Sequence, residues 1–207
     1  MINLGVLVSG RGSNMEAILK KIEDGTLKNV KPCVVISNKA DVRALNVASQ
    51  HRVDAVFIDD EGKKGASWDY DKKIVECLQD HGVTPENGLV CLAGFMRILS
   101  KEFVQRYKWR IMNIHPALLP SFPGLNAQKQ TVEYGVKISG CTVHFVDEGV
   151  DTGPIIIQSA VEVRDDDTPD SLAARILEYE HKIYPEAVRL FSEGKLSIEG
   201  RRVKVRP

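Results

Sequence analysis

Residues 4–8, LGVLV, form a continuous apolar run, the pattern of a short strand buried on both faces. The run feeds the glycine-rich turn SGRGSN at 9–14, after which Met15, Ile18, Leu19 and Ile22 share one face of a helix that ends at Gly25. Ser13, with Glu16 three residues on, predicts a capping box at the start of that helix. Further strands are expected at 33–36 and 55–58, separated by a helical stretch at 42–49. Tyr70, Ile74, Cys77 and Leu78 form the inner face of another helix that stops near Gly82, ahead of an apolar run at 89–93. Strand and helix alternating in this way predict a parallel sheet with helices on both faces.

The texture changes after Ile111, where Pro116, Pro120, Pro123 and Gly124 rule out continuous helix and mark a site-forming loop region. Residues 139–146 and 154–163 read as two strands joined by a loop at 147–153. Thr168-Pro169 supplies an N-cap and first-turn pair for a last helix with Leu172, Ile176, Tyr179 and Ile183 on one face, kinked or interrupted at Pro185. The basic segment 201–206 reads as a solvated edge strand or tail and is given no function. The fold class expected is α/β: one domain with a mostly parallel open sheet and antiparallel strands toward the C-terminus.

Composition narrows the classes of partner. With 207 residues, 43% hydrophobic and 27% charged, the chain is long enough for one full core of ordinary soluble type. Its 28 basic residues balance 28 acidic ones, so no overall charge favours nucleic acid or a membrane surface, and small molecules are the expected substrates. Cys33, Cys77, Cys91 and Cys141 are widely spaced in or beside apolar runs and read as reduced core thiols of a cytoplasmic protein. No export signal or bilayer-length apolar stretch is visible. Monomer and homodimer read alike in one chain.

The candidate chemistry lies in three places. The turn Ser9-Gly10-Arg11-Gly12-Ser13-Asn14 brings backbone N–H groups, a hydroxyl and an amide to a helix N-terminus, a setting that suits a phosphate. It is neither a dinucleotide fingerprint, because Met15 takes the third glycine position, nor a Walker loop, because no GK[ST] follows. Asn113 and His115 are two residues apart, so an extended segment puts amide and imidazole on one face. A lone histidine is more often a satisfied core residue, but an amide beside it and a carboxylate at Asp151 supply the groups needed for proton transfer and oxyanion stabilisation. A carboxylate close to His115 would raise the imidazole pKa toward working pH. The five histidines show no HxH or HxxxH pair, so no metal is assigned, and GxSxG is missing, so no serine nucleophile is assigned.

SGRGSN at 9–14, SNKAD at 37–41, AGFMRIL at 93–99, NIHPALLPSFPG at 113–124 and HFVDEGVDTGP at 144–154 together resemble, in order and over essentially the whole chain, the phosphoribosylglycinamide formyltransferases. The resemblance implies a Rossmann-like formyltransferase domain over 1–207, with a phosphate-binding half at 1–100 and a folate-binding and catalytic half at 101–207. It implies transfer of the formyl group of 10-formyltetrahydrofolate, a co-substrate, to the amine of 5-phosphoribosylglycinamide in de novo purine synthesis. Arg11, Gly12, Ser13 and Asn14 would hold the ribose phosphate, and Met96, Arg97, Ile98 and Leu99 would line the pterin pocket, largely through backbone groups. Asn113 would bind folate and stabilise the oxyanion, His115 would be general acid and proton shuttle, and Asp151 would set its protonation. The loop at 146–151, with Val146 and Asp147, would close the folate site, Glu180 would contact the glycinamide, and Leu119-Pro120 would be cis. Two positions depart from the pattern. Asn126-Ala127-Gln128 stands where many members carry a histidine, and Ser67, with Lys63 and Lys64 nearby, stands where some carry an arginine. The same residue constellation also fits a formyltetrahydrofolate hydrolase, and a non-catalytic binder of folate or phosphorylated metabolites is the reading from another class.

Overall fold

A computed structural model of the protein describes residues 1–62 and 65–206. Lys63 and Lys64 lie outside the described residues. The chain divides into two compact units, Met1–Met112 and Asn113–Pro207.

In the first unit, β1 (Ile2–Val8), α1 (Ser13–Glu23), β2 (Val30–Ser37), α2 (Arg43–Gln50), β3 (Asp54–Phe57), α3 (Trp68–Asp80), β4 (Gly88–Leu92) and α4 (Lys101–Arg106) follow in order. β1 pairs in parallel with both β2 and β4, and β2 with β3, so the strand order is β3-β2-β1-β4. The apolar runs read from the sequence become the core: Leu4, Leu7, Ile36, Leu89 and Val90 are fully buried, as are Met15, Ile18 and Leu19 on the inner stripe of α1. Parallel strands have their carboxyl ends at one edge of the sheet, and the loops that follow β1, β2, β3 and β4 therefore gather there.

β5 (Ile111–His115) runs through the boundary. The second unit continues with α5 (Ala127–Tyr134), β6 (Ile138–Phe145), β7 (Ile155–Glu162), α6 (Pro169–Ser192), β8 (Leu196–Glu199) and β9 (Arg202–Val205). β6 and β7 are antiparallel, β9 joins β7 in parallel, and β8 closes antiparallel on β9. α6 packs on β6 and β7 and against α5. The expected fold class, α/β with a mostly parallel sheet and antiparallel strands near the C-terminus, is the one observed.

Several local expectations are corrected. α1 is capped by Gly12 in a left-handed conformation, φ 74°, with no side-chain cap, so Ser13 is the first helical residue and the capping box does not form. α6 is 24 residues long and continues past Pro185 without interruption. Its most buried stripe is Leu172, Ile176, Glu180 and Tyr184, while Tyr179 and Ile183 are only half-buried. The basic segment at 201–206 forms β9, flanked by β7 and β8, so β8 and not β9 is the edge. Of the four cysteines, Cys91 and Cys141 are buried core thiols and Cys33 and Cys77 are half-exposed; none forms a disulfide. The helices α4 and α5 have no counterpart in the pattern, because one is six residues long and the other buries only Ala127 and Thr131.

The predicted start of α6 is borne out in full. Thr168 Oγ1 accepts from the Ser171 N–H at 3.1 Å, and Ser171 Oγ accepts from the Thr168 N–H at 3.0 Å. Thr168→Ala removes half of this exchange and is expected to lower the unfolding free energy by about 1 kcal/mol in chemical denaturation, with Thr168→Ser close to wild type.

Candidate active site

In the first unit, the anion turn is held by its glycine. A Cβ on Gly12 would stand 2.7 Å from Ala44 Cβ and 2.9 Å from Ala44 Cα, so only glycine fits the left-handed turn that lets α1 begin against α2. Arg11 is exposed, Ser13 half-buried and Asn14 buried. Glu16, the acidic residue of the first turn, would oppose an anion at the helix start. It is matched by Lys20 at 2.8 Å and Arg43 at 3.2 Å, and the Lys20 hydrogen bond above all holds its pKa below the usual value. Ser9 is spent differently: its hydroxyl donates to Asn38 Oδ1 at 2.6 Å and accepts from the Met96 N–H at 2.8 Å. It is scaffold and not an anion ligand.

The segment Met96 to Leu99 alternates in exposure. Met96 and Ile98 are 63% and 52% exposed, unusual for large apolar side chains, whereas Leu99 is buried. Arg97 turns its guanidinium back into the unit, onto Asp60 at 2.9 Å, the Gly65 carbonyl at 3.1 Å and the face of Tyr70 at 4.4 Å. The side chain is thus held by the protein, and what the segment offers outward is backbone and two apolar groups.

In the second unit, the structure brings Asn113, His115 and Asp151 together. β5 is extended, so Asn113 and His115 project to one side. Asp151 sits at φ 54° in the loop between β6 and β7, with Oδ2 3.3 Å from His115 Nδ1 and 2.8 Å from the Gly124 N–H that donates to it. Asn113 Nδ2 donates toward Asp151 Oδ1 at 3.4 Å and toward His144 Nε2 at 3.2 Å. His115 Nε2 lies 2.8 Å from the Phe122 carbonyl and must donate to it, so in the neutral ring Nδ1 is the bare nitrogen, facing the carboxylate.

Burial sets the electrostatics of the pair. It pulls the His115 pKa below the ordinary imidazole value; Asp151 and the Phe122 carbonyl push the other way without cancelling it, and His144 adds to the depression. The expected upward influence of Asp151 is present, but the net direction is down. Burial would by itself raise the Asp151 pKa, yet the neighbouring His144 first, then the Gly124 N–H that donates to it and the pull of His115, bring it below the usual carboxylate value. The resting site therefore holds an ionised carboxylate beside a neutral imidazole.

His144, the Phe122 carbonyl and the Gly124 N–H also belong to this cluster, beyond the groups that the sequence pattern points to. His144 is buried at the end of β6, with Nδ1 donating to the Phe145 carbonyl at 2.8 Å, which leaves Nε2 to accept from Asn113. A histidine closing a buried strand just ahead of an acidic loop was the available signal. The two backbone groups had none.

The remaining candidates lie around this cluster or apart from it. Val146 is half-buried, and Asp147 staples its loop by accepting from the Thr152 hydroxyl at 2.6 Å and the Gly149 N–H at 3.1 Å. Glu180 is buried on α6 near Cys141, whose thiol is pushed up to about 12 by burial first and by the charge of Glu180 second. Leu119-Pro120 is cis. Gln128 is half-buried on α5, and Ser67 is the N-cap residue of α3. Among the described residues no group of three or more His, Cys, Asp or Glu could hold a metal ion, and no helix is long and apolar enough to cross a membrane.

Residues 2–188 match the formyl transferase family. The phosphoribosylglycinamide formyltransferase of Haemophilus influenzae is 39% identical over 202 residues, 96% of this chain and 91% of that protein. The trifunctional purine biosynthetic protein adenosine-3 of Gallus gallus is 41% identical over 197 residues, and the chain spans only 19% of its length. Among solved structures, glycinamide ribonucleotide transformylase 1 from Symbiobacterium toebii is 50% identical with a TM-score of 0.93, covering 100% of this chain and 95% of that one. A match over nine-tenths of its length, with a solved fold superposing throughout, places this chain in the formyl transferase family.

Proposed function

We propose that the protein transfers the formyl group of 10-formyltetrahydrofolate to the amine of 5-phosphoribosylglycinamide, a step of de novo purine synthesis, as a cytoplasmic enzyme. The observation that carries this reading is the Asn113, His115 and Asp151 cluster, an amide, an imidazole and an ionised carboxylate within hydrogen-bonding reach of one another in a partly buried site. The names of the relatives support the choice of substrates.

In this reading the amine attacks the formyl carbon and negative charge develops on the formyl oxygen, where the Asn113 amide donates. His115 begins as a base, because burial keeps it neutral. It takes up a proton released by the amine, and Asp151, 3.3 Å from Nδ1, stabilises the imidazolium so formed. The imidazolium then gives a proton to the departing folate nitrogen as the carbon–nitrogen bond breaks. One proton has moved from amine to folate, and tetrahydrofolate and the formylated ribonucleotide leave. Arg11, Gly12, Ser13 and Asn14 would hold the ribose phosphate at the start of α1, and Glu180 would meet the glycinamide. Residues 1–100 would then supply the phosphate site and also the folate-lining segment Met96 to Leu99, so the folate-binding role extends beyond 101–207.

The test is loss of formyl-folate absorbance with and without 5-phosphoribosylglycinamide. Turnover only in the full mixture is expected; formate release without the ribonucleotide would establish a hydrolase instead. His115→Ala is expected to lower kcat by at least ~10²-fold with both substrates still bound, as measured by steady-state kinetics and calorimetry. Asp151→Asn removes the influence that raises the His115 pKa, so the pKa falls further. The acid limb of the rate profile, which follows loss of the neutral base, is therefore expected to move to lower pH while the rate drops. A pH–rate series on the variant checks the direction.

A further inference from the structure

Four side chains at the carboxyl edge of the first unit, one from the loop after each parallel strand, form a continuous polar chain. Ser9 follows β1, Asn38 follows β2, Asp60 follows β3 and Arg97 follows β4. Ser9 Oγ donates to Asn38 Oδ1 at 2.6 Å, Asn38 Nδ2 donates to Asp60 Oδ2 at 2.8 Å, and Arg97 Nη1 donates to the same oxygen at 2.9 Å. The chain closes into a ring, because Met96, covalently joined to Arg97, donates its N–H to Ser9 Oγ at 2.8 Å.

The direction of every bond in the ring is forced. A backbone N–H can only donate, so Ser9 must accept from Met96 and send its own hydrogen to Asn38. The Asn38 carbonyl is thereby taken, which turns its NH₂ toward Asp60, and one Asp60 oxygen accepts from both Asn38 and Arg97. The carboxylate is held below its usual pKa by the Asn38 hydrogen bond first, with the Gly62 N–H and Arg97 adding, against burial. Gly62 donates to its other oxygen at 3.1 Å, and the Arg97 guanidinium is clamped further by the Gly65 carbonyl and the Tyr70 ring. Ser9 also donates its own N–H to the Gly94 carbonyl at 3.1 Å, so the residue that opens the glycine turn is bonded twice to the segment after β4.

We infer that this ring is the positioning device of the folate-lining segment, and that Ser9, Asn38 and Asp60 are positioning residues for formyl-folate binding through the backbone of Met96 to Leu99. The inference rests on the formyl-transfer reading for the identity of the ligand. The ring explains how a segment can expose two large apolar side chains, Met96 and Ile98, and still present its backbone in one geometry: the intervening Arg97 is anchored inward and the Met96 N–H is fixed from behind. None of the three positioning side chains has to touch a substrate to do this.

Asp60→Ala removes the acceptor shared by Asn38 and Arg97 without touching the Met96 N–H. The expected result is a rise of at least about tenfold in KM for 10-formyltetrahydrofolate, kcat within about threefold of wild type, and faster hydrogen exchange at the Met96 amide. Asp60→Glu, which keeps the charge, should recover most of the loss. An unchanged KM, unchanged exchange at Met96, or a fall in kcat and thermal midpoint with no change in KM would overturn the inference. If the wild-type protein turns over no formyl-folate, the formyl-transfer reading has failed, and Met96 exchange in Asp60→Ala alone decides whether the ring positions the segment.

Discussion

A carboxylate taken half out of water stays ionised only if the protein replaces the water it lost, and Asp151 imposes that condition on everything near it. Its two oxygens are met by an imidazole, a backbone N–H, an amide and a second imidazole close by, drawn from β5, the segment after Pro120 and the end of β6. Three stretches of chain that are distant in sequence must therefore converge on one loop residue, itself held at a positive φ that a non-glycine residue seldom adopts. The DTGP turn is built for this approach, since any side chain on Gly153 would run into the Phe145 carbonyl.

The same condition decides what His115 can do. A carboxylate beside an imidazole is usually taken as a reason for a raised pKa, and that influence is present. It loses because the ring is itself buried, and the penalty for charging a buried ring is not written in any spacing of residues. Sequence could bring Asn113, His115 and Asp151 into one hypothesis through strand period and side-chain type, but not the sign of the resulting shift. Nor could it show that a main-chain carbonyl at Phe122 fixes which ring nitrogen carries hydrogen, since backbone groups are the same at every position.

The fold was legible to a similar depth and for similar reasons. Long apolar runs and stripes placed β1, β2, β4, α1 and α3 to within a few residues, because burial of a continuous core overrides everything local. α4 and α5 escaped because they are short and bury little, and the α6 stripe was misread because a glutamate, Glu180, lies in the buried position that an apolar pattern assigns to a neighbour. The side chain of Ser13 suits a cap, but the turn requires a left-handed residue packed on Ala44, and that requirement puts glycine there.

That glycine cap distinguishes α1 from α6. The long helix carries its own terminating oxygen, the hydroxyl of Thr168, and is complete as it stands. At α1 the capping residue has no side chain with which to receive an N–H. An anion seated there would act as the missing cap, so that part of the free energy of holding it would be indistinguishable from the free energy of ordering the helix. Ligand and secondary structure would then be two halves of one motif, and the first turn of α1 would be as well ordered as the site is full.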